Sequence, residues 1–257
     1  MGDEMTTAHS GSGDVRRGLE LLWGVGEAPT RGPKRGLTLE RIVETAVSVA
    51  DAEGLGAVSM RRVATDLGVG TMSLYRYVPG KSELLELMLD HVQAVDEAEA
   101  AEQRAMPLRE RLLRLGSGIW DLYVGHPWLL QVNQARPLLG PNAMAGLDLS
   151  MSGLEGLGLT DQQRLSVIVA VESYVSGSAR NHVNALEAAR RTGVSDEEFW
   201  AAQAPFLTEA MQSGGFPSLA ELDEDTFDVA GDALFTFGLA RLVDGIADFV
   251  ETAGADG

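Results

Sequence analysis

The 257-residue sequence contains no cysteine, which removes disulfides, thiolate metal sites and a cysteine nucleophile together. It also lacks a long apolar run. The strongest, SVIVAV from Ser166 to Val171, stops at Glu172 and is far too short to cross a bilayer. The opening MGDEMTTAHSGSGD is polar and acidic without an apolar core, so no secretory signal and no membrane are expected, and the location expected is cytoplasmic. No stretch alternates with period two, and no Asn-Gly or Asp-Gly turn lies between strand-like runs. HExxH, G-x-S-x-G and a complete nucleotide loop are missing as well. An enzyme is therefore not expected, nor is a metal or a cofactor.

What remains is helical. Apolar residues recur at i, i+3 or i+4 and i+7 through most of the chain, and the fold class expected is all-α. Residues 1–13 read as disordered, and Val15, Leu19, Leu22 and Trp23 form a short apolar stripe before a Gly/Pro/Arg linker that runs to Gly36. Thr38 can cap a helix carrying Ile42, Val43, Ala46 and Val49, which EGLG ends. Ser59 can cap a shorter one with Val63, Ala64 and Leu67 inward. After the LGVG turn, Thr71 to Val78 predicts a third helix that Pro79 stops, and a longer helix starts near Lys81. TDQQ at Thr160 and SDEE at Ser195 are capping boxes, and the last long helix is expected from about Asp225 to Thr252.

Charge is unevenly spread. The whole chain carries −18, yet residues 31–81 sum to +3, leaving −21 elsewhere. A basic island in an acidic protein points to one small anion-binding module on a body of different purpose. The stretch LGVGTMSLYRYVPGKSELLELM lies in that island. Its Gly-Lys-Ser does not make a phosphate loop, because the glycine required five positions before Gly80 is Tyr75. Leu74 and Val78 can bury together, while Thr71, Met72, Tyr75 and Arg76 share the opposite side of a very short helix. Such a face suits base edges and thymine methyls, and two short helices joined by a glycine turn make a helix-turn-helix.

From TLERIVETAVSVADAEGLGAVSMRRVATDLGVGTMSLYRYVPGKSELLELMLDHV, the chain resembles the DNA-binding domain of the tetracycline-repressor (TetR/AcrR) family of bacterial transcription regulators. HPWLLQVNQARPLLGP and VESYVSGSARNHV are similar to the tetracycline-repressor-type regulatory domain. The resemblance places Arg61 on a base-reaching arginine of helix two, and Thr71, Met72, Ser73 and Tyr75 on recognition-helix contacts. It places Arg76, Tyr77 and Lys81 on groups that touch phosphates or flanking bases. Met72 stands where the namesake has proline and Arg76 where it has tryptophan, so the operator sequence does not transfer. By their chemistry Arg61 can pair bidentately with guanine, Tyr75 can lie against a thymine methyl, and Lys81 can hold phosphate as a point charge. Thr38 and Ser59, at the starts of the first two helices, complete the expected DNA-binding set. Arg31, Lys34 and Arg35 read either as a basic arm for DNA or as a solvated linker.

The resemblance further implies a homodimer on double-stranded DNA, through helices around 163–187 and 225–250, released by a small-molecule effector. Small residues in the last segment (Ala230, Gly231, Ala233, Gly238, Ala240, Gly245) would permit close approach at that interface, or else pack within the chain. Trp120, Tyr123, His126, Trp128, Asn133, Met144, Tyr174 and His182 are candidates for lining a largely apolar effector site, because they set aromatic surface beside polar tips. Aligning the namesake's Arg-Pro on Arg136-Pro137 puts Val132 at its metal-binding histidine, so a tetracycline–magnesium chelate is not expected. The domains expected are 1–36 (tail, short helix, linker), 37–83 (helix-turn-helix) and 84–257 (effector binding and dimerisation). The alternative is a helical adaptor or activator whose DNA binding is lost or depends on ligand.

Overall fold

The computed structural model describes residues 8–25, 37–223, 226 and 232–255. Among them are twelve α-helices and a single pair of two-residue strands. The first elements are β1 (Ala8–His9) and α1 (Val15–Leu22), the latter capped by Asp14, which accepts the Arg17 N–H. Then come α2 (Leu39–Glu53), α3 (Met60–Asp66) and α4 (Thr71–Leu74). Thr38 and Ser59 cap α2 and α3 as their positions predict, accepting the Arg41 and Arg62 N–H groups at 3.1 and 3.2 Å. Gly54, at φ +83°, turns the chain out of α2 through a conformation that disfavours any residue with a Cβ. Ile42, Val58, Val63, Leu74 and Val78 close the small core between these helices.

Helix α5 (Lys81–His91) is buried without a break from Leu84 to Asp90, acids included. Its neighbours explain this: α2 lies on one side, and α1 and α8 (Pro141–Ser152) lie on others. Asp90 accepts the Asn142 and Ala143 N–H groups at 3.3 and 3.0 Å, so a buried carboxylate sits at the positive end of α8.

The rest is a helical body: α6 (Glu97–Ala105), α7 (Leu108–Gly125), α8, α9 (Asp161–Thr192), α10 (Asp196–Gln212), α11 (Pro217–Ala220) and α12 (Ala233–Ala255). Both capping boxes form, at Thr160 and Ser195. Helix α9 has 32 residues, a length of about 48 Å at 1.5 Å per residue. It packs with α7 and α12 around Val171, Val175, Leu239 and Val243. Gly116 permits the contact of α7 with α12, since a Cβ there would stand 2.6 Å from Leu239 Cδ1.

Two local expectations change, Gly238 takes one of its two readings, and part of the last segment lies outside the described residues. Residues 8–13 are not a disordered tail: β1 pairs in parallel with β2 (Val132–Asn133), which follows the 3-10 turn Pro127–Gln131. Regular helix after the LGVG turn lasts one turn, to Leu74, and then tightens as the Tyr77 N–H bonds to the Leu74 carbonyl at 2.8 Å. Gly238 packs within the chain, where a Cβ would collide with the Tyr174 hydroxyl. The last helix is described from Ala233, and Asp225, Phe227, Ala230 and Gly231 lie outside the described residues.

Candidate nucleic-acid interface

Helices α3 and α4 are joined by a turn in which Gly68, at φ +66°, reverses the chain. Leu74 and Val78 are wholly buried and α4 packs on α3, which fixes the short helix and leaves its other side outward. On that side Met72 is 76% exposed and Tyr75 44% exposed, with Arg76 fully outward and Thr71 and Ser73 half-buried beside them. Arg61 projects from α3, and Lys81 stands exposed at the start of α5. A large methionine and tyrosine held in water by a packed backbone form a surface shaped for a partner.

Other residues of the expected set have their polar atoms committed. The Thr38 and Ser59 hydroxyls accept helix N–H groups, and the half-buried Tyr77 donates its hydroxyl to the Leu37 carbonyl at 3.2 Å. Tyr77 thereby fixes the entry to α2 beside α4. Arg31, Lys34 and Arg35 lie outside the described residues. Arg62, absent from the expected set, braces the unit by reaching Glu53 at 2.7 Å and Asp66 at 3.0 Å. Its hydrogen bond holds the Glu53 carboxyl below the usual carboxylate range.

The expected effector residues divide. Trp120 stacks on Phe235 with ring centres 4.1 Å apart, His182 lies 5.2 Å from Trp120, and Tyr174 stacks on the far side of the group at 6.2 Å from Phe235. The Tyr174 hydroxyl donates to the Leu234 and Phe235 carbonyls. Tyr123 is buried close by; burial first, and the charge of Glu172 second, push its hydroxyl up to about 12 against the opposing pull of Arg180. Burial also pushes the Glu172 carboxyl above its usual range. Phe235 belongs to this cluster but reads in the sequence as one more apolar position of the last helix.

The other four stand elsewhere. His126 Nδ1 and Trp128 Nε1 both meet Oδ1 of Asp51 on α2, at 2.7 and 2.8 Å, so they join the body to the N-terminal unit. Asn133 lies exposed on β2 with its Oδ1 accepting the Ala135 N–H, and Met144 is exposed on α8. A small cleft among α6, α7, α8 and α9 is bordered by Gln103, Arg111, Leu149 and Ile168, none of them in the expected set. Arg180 of α9 donates to the Leu130 carbonyl at 2.6 Å and so ties the longest helix to the turn that carries Trp128.

A helix-turn-helix displaying this face, continuous with a helical body, defines a class of one-component DNA-binding regulators. Residues 42–88 match the description "Bacterial regulatory proteins, tetR family", and residues 101–250 match "Tetracyclin repressor-like, C-terminal domain". The chain belongs to the tetR family. It is 52% identical to the HTH-type transcriptional repressor DrrR1 of Streptomyces coeruleorubidus over 94% of this chain and 88% of that protein. Among solved structures, ActR of Streptomyces coelicolor in complex with actinorhodin matches with a TM-score of 0.66 and 30% identity, over 83% of this chain and 96% of that one. Apo ActR matches with a TM-score of 0.64 and 27% identity, over 90% of this chain and all of ActR. No described helix is long and apolar enough to cross a membrane.

Proposed function

We propose that the chain is a homodimeric repressor that binds a pseudo-palindromic duplex operator and leaves it when a small-molecule effector binds the body. The observation that carries this is the outward face of α4, with Met72, Tyr75 and Arg76 held at the surface by the burial of Leu74 and Val78. In this reading residues 37–83 form the DNA-binding unit and residues 84–257 the effector and dimer domain. Arg61 and Tyr75 read bases, while Arg76 and Lys81 hold the backbone. DrrR1, the relative with 52% identity, is named as a repressor, and ActR has been solved with actinorhodin; both support the reading.

Dimerisation is supported by apolar side chains left in water on α9 (Leu165, Val169, Leu186) and on α12 (Leu234, Phe237, Phe249). Two long adjacent helices with such faces can meet their symmetry mates as a four-helix bundle. This reading puts the effector beside the Trp120–Phe235 stack, where the half-buried Trp120, Tyr174 and His182 adjoin the buried Tyr123 and Phe235. A largely apolar molecule with an aromatic plane suits that lining. Release then follows from population shift: the effector binds better to an arrangement with another spacing of the two α4 helices, and operator affinity falls by that difference.

The test is anisotropy of a labelled duplex taken from fragments the protein retains out of genomic DNA. Wild-type chain should bind it with strong salt dependence, and Tyr75→Ala, folded and of unchanged oligomeric state, should lose the sequence preference. Equal binding by the two proteins would overturn the placement of the recognition helix.

A further inference from the structure

Glu86 is the unexpected residue of α5. It lies among Leu84, Leu85, Leu87 and Met88 with 5% of its surface exposed. Its carboxylate accepts the Ser10 hydroxyl at 2.8 Å and the Gly11 N–H at 2.7 Å. Both donors come from the segment that precedes α1. A buried carboxylate without such donors is strongly disfavoured, so this pair of bonds holds the segment and the helix together.

The same segment grips the body. Ala8 and His9 pair with Val132 and Asn133, and the Ser10 N–H extends that ladder to the Asn133 carbonyl at 3.0 Å. Gly13 rests on the start of α5, where a Cβ would stand 3.0 Å from the Ser82 Cβ. Gly18 is buried in α1 against Leu138, 2.7 Å from where its own Cβ would be. The Trp23 indole N–H closes the run by donating to the Leu139 carbonyl at 3.1 Å. Residues 8–23 thus make contacts to two things at once: α5, which leaves the recognition helix after only a short turn, and the 132–139 segment of the body.

We propose that residues 8–23 are an intramolecular strap that locks α5, the helix leading from the DNA-binding unit (residues 37–83) into the body, against the 132–139 segment and so fixes the angle between that unit and the body, with Glu86 as its anchor and a positioning residue for α5. Any rotation of α5 against the 132–139 segment must break the Ser10 and Gly11 bonds to Glu86 or the β1–β2 ladder. The strap therefore narrows the set of arrangements the DNA-binding unit visits. Its bearing on operator release rests on the repressor reading; the restraint itself does not.

The absence of native cysteine makes the restraint measurable. S48C on α2 with Q162C at the start of α9 takes two spin labels, and dilution into unlabelled full-length chain leaves only distances within one chain. Glu86→Leu removes both acceptor oxygens without leaving a buried charge. Gly18→Val pushes α1 off Leu138, the one side chain that a Cβ at this position would meet, and leaves both Glu86 oxygens in place. Glu86→Gln keeps an acceptor for the Gly11 N–H and a donor for the Ser10 oxygen. The parent and Glu86→Gln should give one narrow distance distribution, and Glu86→Leu and Gly18→Val a broadened or shifted one, with circular dichroism unchanged throughout. A narrow, unshifted distribution in Glu86→Leu and Gly18→Val, with the Ser10 amide exchanging freely in both, would overturn the strap. Failure to retain any duplex DNA would undo the repressor reading instead and leave these distances as they are.

Discussion

Arg61 and Arg62 are neighbours on α3 with opposite fates. Arg62 turns back to Glu53 and Asp66, whereas Arg61 is exposed. Arg61→Ala should leave thermal stability unchanged and weaken specific binding by about 1–3 kcal/mol, relaxing preference at one base position. Lys81→Ala should weaken binding to all duplexes alike and lower the slope of log K against log salt by about 1. Arg62→Ala should act through the fold, and only slightly, because its ion pairs lie in water. Glu172 provides a pH test. Its carboxyl is raised by burial, so its favourable state is the protonated one, present in acid and lost as pH rises through its raised value. Because the side chain still reaches water, Glu172→Gln should raise the melting temperature only slightly at neutral pH and leave it unchanged well below the normal carboxylate range.

At the scale of elements, short helices depend on their caps. Helix α3 has seven residues, and Ser59 supplies one of its first acceptors. Ser59→Ala should lower stability by about 1 kcal/mol, seen as a lower melting temperature, while the exposed side chains of α4 stay intact. Such caps were legible in the sequence because they are local: Thr38, Ser59, Thr160 and Ser195 each act within three residues. The length of α4 was less legible, since whether the turn after Leu74 tightens depends on burial of Val78 and on the Tyr77–Leu37 bond. The β1–β2 ladder was not legible at all. Two-residue strands show no period, and their partners are separated by more than a hundred residues. Aromatic side chains with polar tips were equally ambiguous. Trp120, Tyr174 and His182 gather in the body, but His126 and Trp128 use the same chemistry to satisfy Asp51 on α2.

The whole molecule places a small outward-facing reading head on a body whose longest helix is tied back to it. Arg180 links α9 to the Trp128 turn, Trp128 reaches α2, and the aromatic cluster joins α7 to α9 and α12, the two helices with apolar side chains left in water. In the proposed reading, effector site, dimer face and DNA-binding unit are thus joined by direct contacts, the connection that two alternative arrangements of one dimer require. If α9 and α12 form the interface, Phe237→Glu should convert the dimer to monomer in sedimentation velocity while helicity is retained. Operator binding should then collapse, because one short helix makes few base contacts and the paired half-sites supply the effective concentration. The most direct measurement is selection of bound fragments from sheared genomic DNA near physiological salt, followed by footprinting. A homodimeric repressor should protect a pseudo-palindrome whose half-sites lie one helical turn, about 34–36 Å, or a multiple of it apart. No enrichment by folded, dimeric protein, or protection of a lone half-site, would contradict this reading.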